Sequence, residues 1–308
     1  MTLFHDPGFA APIGNHIMPI SKFALVAEEI RQELPEMVIR SPAPVIEDDL
    51  LRVHTPEYIR AVKTGHPLDL AESQKFPWSP ELFLSVCLTS GGLLEAATEA
   101  LESGSSGALA SGFHHACADH GEGFCTFNGL VVTLEALRAQ GKIRHGAVLD
   151  MDLHYGNGTA ALAASRPWMR CLSIYGNDYH ENKPYRDVTK RHHEDGPNHA
   201  SVPLVPTGHS DRAMMIDALA ASLPWLLEGP HPEILLYQAG ADPLQYDPYS
   251  PLRLTHDDLQ ERDRMVFEFA KTQGIPVAWV LAGGYTTDTS KVVAVHLNTA
   301  RVWQDVFR

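Results

Sequence analysis

The chain has 308 residues, 44% of them apolar, and a formal net charge of −14 with histidine neutral, enough for one large α/β domain. No apolar run reaches the roughly 18 residues that a membrane span needs, and Met1–Ala11 has no basic stretch leading into an apolar block, so the expected location is cytoplasmic. An acidic chain lacks the basic footprint of an autonomous nucleic-acid binder and suits an amine-bearing ligand, although acidic charge also serves solubility alone. The four cysteines, Cys87, Cys117, Cys125 and Cys171, include no C-x-x-C pair, so reduced thiols are expected rather than disulfide staples.

In chain order, the Pro-rich stretch Ser41–Pro44 reads as a surface loop. Helical spacing over Pro80–Glu102 leads into a β-rich run at Gly107–Ser111. A helix over Asn128–Gln140 precedes a strand at Gly146–Asp150, and another strand follows at Cys171–Tyr175. The polar stretch Arg186–His199, with its His192-His193 pair in a run of charges, is expected to be solvated surface. A helix over Ser210–Leu227, a strand at Glu233–Gln238, a helix over His256–Gln273, a strand at Pro276–Leu281 and a helix over Thr289–Val306 complete the pattern. In the segment Asp257–Lys271, Leu259, Val266, Phe267 and Ala270 share an apolar face, while Asp258, Glu261, Arg262 and Arg264 keep to the others. Thr255 with Asp258 opens this helix as a capping pair, and Gly274 then Pro276 end it. Val292, Val293, Val295 and Leu297 of the last helix are expected in the core. Strands alternating with helices predict an α/β fold with a mostly parallel sheet and helices on both faces. Without a repeat or a long linker, residues 1–308 are expected to form a single domain.

Four of these strands are followed by polar residues. His114-His115 follows the first, Asp150-Met151-Asp152-Leu153-His154 the second, Gly240-Ala241-Asp242 the fourth and Gly283-Gly284-Tyr285 the last. Parallel strands end at one edge, where ligands of open α/β folds bind. With a side-chain period of two, Asp150, Asp152 and His154 point to one side. Buried side by side, they call for a cation. Two aspartates and one histidine leave an open coordination position for water, as catalytic zinc requires; iron(II) also accepts this set. Zinc lowers the pKa of its water to about 7 and polarises a neighbouring carbonyl. The histidine pair can move protons near neutrality, with Asp150 and Asn157 available to orient the two rings. Tyr285, after two glycines, can donate to a developing oxyanion. Together these residues point to a hydrolase acting on an acylated amine.

The blocks Ser111–His115, Gly121–Cys125, Leu149–Thr159, Tyr237–Asp242 and Ala282–Tyr285, with Arg52–Tyr58 near the start, resemble the arginase–deacetylase fold and, within it, the histone deacetylase family. Gly112–His115, Cys171–Gly176 and Asn15-His16 are most similar to class IV members and bacterial histone deacetylase-like amidohydrolases. The resemblance implies zinc on Asp152, His154 and Asp242, with His115 as general base and then acid and His114 assisting. It also implies Tyr285 on the scissile carbonyl, and Gly123, Phe124 and Tyr179, with Gly283 and Gly284, around the acyl-lysine chain. A structural potassium ion is implied on Asp150, Ser173, Ile174 and the backbone of Asp152 and His154. Asn157 stands where some relatives carry Asp, and the loop Asn177–Asp195 matches poorly, which leaves the substrate open. The resemblance implies deacylation of lysine side chains, acetyl or longer. An acetylpolyamine amidohydrolase, for which Glu181, Glu194 and Asp195 would supply acidic rim charge, and a non-catalytic acyl-lysine-binding protein are the alternatives.

Overall fold

The computed structural model describes residues 1–14, 16–185, 188, 193–206 and 210–308, the side chains of residues 184 and 185 excepted. Asn15 and His192 therefore lie outside the described residues. The strands are β1 (Thr2–Phe4), β2 (Val38–Arg40), β3 (Ser105–Ser111), β4 (Gly146–Asp150), β5 (Met169–Tyr175), β6 (Asp178–His180), β7 (Lys183–Tyr185), β8 (His199–Pro203), β9 (Leu235–Ala239) and β10 (Val277–Leu281). Eight of them pair in parallel in the order β2-β1-β3-β10-β9-β4-β5-β8, and β6 and β7 form a separate antiparallel hairpin.

The central strands are apolar because both their faces are covered. In β3, β4, β9 and β10 every residue is buried, and successive side chains on a strand point to opposite faces. The helix Leu82–Ser103 packs on β3 and β10, and the helices His256–Gln273 and Thr289–Phe307 pack on each other. Val292, Val293, Val295 and Leu297 join the core, where Trp279 of β10 meets Trp303 at 5.6 Å between rings. Thr255 and Asp258 form the expected capping box, and Gly274 ends that helix in the left-handed conformation. Three short strands (β1, β2, β8), the helix Lys22–Glu33 and the helix Pro56–Thr64 add to the elements expected from the sequence. No helix of the described residues is long and apolar enough to cross a membrane.

One expectation is overturned. Arg262 does not sit on a solvent-facing side of its helix; its side chain is fully buried. The guanidinium pairs with Asp263 at 2.8 Å and donates to the carbonyls of Gly240 at 2.7 Å and Met151 at 3.3 Å. Asp263 in turn accepts hydrogen bonds from Tyr237 and Thr299, both at 2.5 Å. Charge alone argued for a surface position, but the ion pair with Asp263 and the hydrogen bonds to two carbonyls make burial tolerable. The network ties the backbone beside Asp152 to the backbone beside Asp242.

Removing one partner of a buried pair costs about 3–5 kcal/mol, because the other charge is left uncompensated. Arg262→Met is therefore expected to lower unfolding stability in urea by about that amount. A loss below about 1 kcal/mol would show that Asp263 and the two carbonyls find other partners.

Candidate active site

The polar strand ends converge because β3, β10, β9 and β4 are immediate neighbours in the sheet. His114 and His115 follow β3, Gly283–Tyr285 follow β10, Asp242 follows β9, and Asp152 and His154 follow β4. All six of the titratable side chains among them are buried or nearly so.

Asp152, His154 and Asp242 each bring a ligand atom within 4.8 Å of the others. His154 Nδ1 lies 3.2 Å from Asp152 Oδ1 and 3.0 Å from Asp242 Oδ2. The backbone holds the carboxylates in place: Gly283 N–H donates to Asp152 Oδ2 at 2.7 Å, and Leu153 N–H to Asp242 Oδ1 at 3.0 Å. Burial and the Asp152 charge push the Asp242 carboxyl up. Burial would lower the His154 pKa, but hydrogen bonds to Asp152 and Asp242 outweigh it and raise it to about 10. Both groups are pushed toward their protonated forms, so the cluster favours added positive charge. The glycines make the approach possible, since a Cβ on Gly283 would fall 2.0 Å from Asp242 Oδ2 and one on Gly240 would fall 2.6 Å from the Asp152 Cα. Convergent oxygen and nitrogen donors, oriented by main-chain donors in a buried cradle, fit a divalent cation.

The histidine pair is oriented as expected. His114 Nδ1 donates to Asp150 Oδ2 and His115 Nδ1 to Asn157 Oδ1, both at 2.6 Å. Burial opposes charge on His114, yet the Asp150 and Asp152 carboxylates raise its pKa overall. His115 goes the other way: burial and the nearby His114 and His154 hold it well below the usual imidazole range. Two adjacent rings thus differ in charge preference. Tyr285 is kept protonated by burial and by the Asp152 and Asp242 charges. A cavity of about 140 Å³ opens onto this group, with His115, His154, Gly123, Phe124, Tyr179 and Tyr285 in its wall. Tyr179 stacks on His115 with ring centres 3.9 Å apart.

Other residues of the site carry no local motif. Lys22 is fully buried, donates from Nζ to Ala282 O at 2.5 Å and lies 5.8 Å from the Tyr285 ring centre. Burial lowers its pKa to about 8 against the pull of Asp242, Asp152 and Asp247. Asp247 accepts from Tyr285 N–H at 2.7 Å, Tyr249 meets Tyr285 edge-on at 5.2 Å, and Lys75 and Asn182 complete the cavity wall. Each comes from a loop or a distant helix, so only the fold brings it here. Asp150 faces Ser173 across the β4–β5 register, with Ile174 next to it, and all three are buried. His193 corrects the expectation of a solvated pair. It stacks on Tyr155 at 3.6 Å and lies 3.0 Å from Tyr175 Oη and 3.2 Å from Asp178 Oδ1. The surrounding charge run describes the loop's average environment, whereas this ring turns inward.

Because Gly283 has no room for a side chain, Gly283→Ala is expected to displace Asp242 while leaving the distant core intact. Elemental analysis after zinc loading and gel filtration should then find less metal per chain than in the parent. Equal metal content would show that the carboxylate need not hold this position.

The family comparison agrees with this geometry. Residues 16–300 match the model of the histone deacetylase domain. A probable deacetylase of Methanothermobacter thermautotrophicus is 30% identical, covering 92% of this chain and 86% of its own. Histone deacetylase 2 of Arabidopsis thaliana is 27% identical over 94% of this chain and 75% of its own. The crystal structure of an acetylpolyamine aminohydrolase from Burkholderia pseudomallei superposes with a TM-score of 0.78 at 19% identity, covering 99% of both chains. The chain belongs to the histone deacetylase family and is a hydrolytic deacetylase with the arginase–deacetylase fold.

Proposed function

We propose that this single-domain enzyme removes acetyl or longer acyl groups from lysine side chains, with zinc held by Asp152, His154 and Asp242. The observation that carries the reading is the meeting of that buried donor set with His115 and Tyr285 around one cavity. Zinc suits two carboxylates and an imidazole; iron(II) is the other candidate for the same donors. When bound, the cation supplies Lewis acidity toward a carbonyl and a water. A structural potassium ion fits Asp150, Ser173 and Ile174 beneath the site, with the backbone of Asp152 and His154. The buried, unpaired thiols of Cys87, Cys125 and Cys171 suit the reducing cytoplasm.

The chain's own residues divide the proton work. Because Nδ1 of His115 donates to Asn157, its Nε2 is left as the free base. Its lowered pKa keeps that nitrogen unprotonated at neutral pH, ready to take a proton from attacking water. The same Nε2–H then protonates the leaving amine. His114, paired with Asp150, supports the neighbouring ring with charge rather than by transferring a proton. The Tyr285 hydroxyl, held protonated, donates to the oxygen that becomes negative as the amide is attacked. Gly123, Phe124 and Tyr179, in the cavity wall, would flank the alkyl chain of the substrate; Gly283 lies against Asp242 and Gly284 against Val292, behind that wall.

The charge of the cavity wall favours a lysine over a polyamine substrate. Among the described lining residues the formally charged side chain is a cation, Lys75. A polyamine carries a further ammonium along its chain, which Lys75 would repel, whereas an acyl-lysine in a peptide does not. Of the acidic rim residues, Glu181 stands 3.9 Å from Lys183, and Asp195 accepts from Ser201 at 2.7 Å.

Acid release from acetyl-, octanoyl- and myristoyl-lysine peptides beside N-acetylputrescine, with zinc-loaded protein, tests this reading. Turnover of the peptides is expected, reduced about 10²–10⁴-fold by His115→Ala and about 10²–10³-fold by Tyr285→Phe. Turnover of N-acetylputrescine alone would replace lysine with a polyamine. Zinc-loaded protein that binds the acyl-lysine peptides yet releases no acid would make the chain an acyl-lysine-binding protein.

A further inference from the structure

A second group of metal-ligand atoms lies outside the site just described. Cys117, His120 and Glu122 each bring one ligand atom within 4.8 Å of the others. They belong to one short loop, Cys117-Ala118-Asp119-His120-Gly121-Glu122, which follows the histidine pair. Its geometry is held by the main chain. Cys117 N–H donates to His120 O at 3.0 Å, and Glu122 exchanges backbone hydrogen bonds with Cys125 at 3.2 and 2.7 Å. Gly121 allows the loop to lie against the protein, since a Cβ there would fall 2.5 Å from the Tyr58 hydroxyl.

Each side chain is prepared for a cation in a different way. His120 Nδ1 donates to Asp119 Oδ1 at 2.7 Å and Nε2 to Glu122 Oε1 at 3.1 Å, so a cation between Nε2 and Oε1 would take the place of the shared proton. A carboxylate behind a histidine is the usual outer support of a metal-binding imidazole. Glu122 is buried, and its other oxygen, Oε2, accepts from Asn157 Nδ2 at 2.9 Å and from Asn182 N–H at 3.4 Å. Its charge is thereby fixed in place with Oε1 left toward His120. Cys117 is half-exposed, so a cation can reach its sulfur. Thiolate, imidazole and carboxylate together favour zinc among biological divalent ions, and three protein ligands leave one position open.

We propose that Cys117, His120 and Glu122 form a second, partly exposed binding site for a divalent transition metal such as zinc. The site shares Glu122 with the Asn157 side chain that orients His115. A cation on Oε1 draws on the charge that supports Asn157, so occupation slows acyl hydrolysis; this consequence rests on the role proposed for His115.

Cobalt(II) titration of the metal-stripped full chain tests the site. A thiolate–cobalt charge-transfer band in the near ultraviolet reports Cys117 alone, because Asp152, His154 and Asp242 provide no sulfur. The expected result is two equivalents of cobalt per chain and a thiolate band that Cys117→Ser and His120→Gln abolish and Asp242→Ala preserves. Uptake of one equivalent without the band, or a band that persists in Cys117→Ser, would overturn the site. With zinc, acid release by the parent should fall as a second equivalent is added, while Cys117→Ser holds its rate. Two equivalents bound with no fall in rate would overturn the coupling to His115, and the cobalt band would still decide the site.

Discussion

Two aspartates and a histidine stand buried with His154 within hydrogen-bond distance of both carboxylates, and burial of like charges is among the costliest arrangements a protein can hold. Much of the surrounding structure answers that cost. Main-chain N–H groups of Gly283 and Leu153 fix one oxygen of each carboxylate, leaving the others to converge on His154 Nδ1. Buried cations stand one layer further out. Arg262 binds the carbonyls flanking the two aspartates, and Lys22 binds the carbonyl that precedes Gly283. The positive charge that completes the cluster is the proposed metal ion.

The parallel sheet is what allows so many polar groups to meet. Four neighbouring strands end at the same edge, so residues far apart in sequence reach one cavity without any buried loop having to carry them. The strands are largely apolar and wholly buried, and most of the chemistry begins where they stop, with Asp150 as the last residue of β4. The two histidines show how local partners then divide the work. His114, against Asp150, is drawn toward the charged form, and His115, against the neutral Asn157, toward the uncharged one. A tandem pair of identical residues thereby acquires two roles from what lies behind each ring.

The parts of this arrangement governed by short-range pattern were legible in the sequence. The strand Gly146–Asp150 and the helix His256–Gln273 have the expected bounds, because apolar runs, a capping box and a terminal glycine all act locally. The polar residues after each strand were likewise visible as a coincidence of position. What escaped depends on tertiary packing. β1 and β2 are three residues long and take their place only by pairing with β3 and with each other. Arg262 and His193 looked like surface residues because charged neighbours surround them in sequence, and only the fold provides the carbonyls, rings and hydroxyl that receive them. Lys22 reaches the site from the start of a helix whose apolar period, Phe23, Val26, Ala27 and Ile30, does not mark it as a site residue, and Asp247 and Tyr249 come from a loop.

Whether a cation completes the Asp152–His154–Asp242 cluster is decided by anomalous diffraction at the zinc absorption edge, from crystals of the full chain grown with zinc. An anomalous peak is expected between His154 Nδ1 and the two carboxylates, and a map with no peak there, His154 still within hydrogen-bond distance of both, would leave the cluster without its cation.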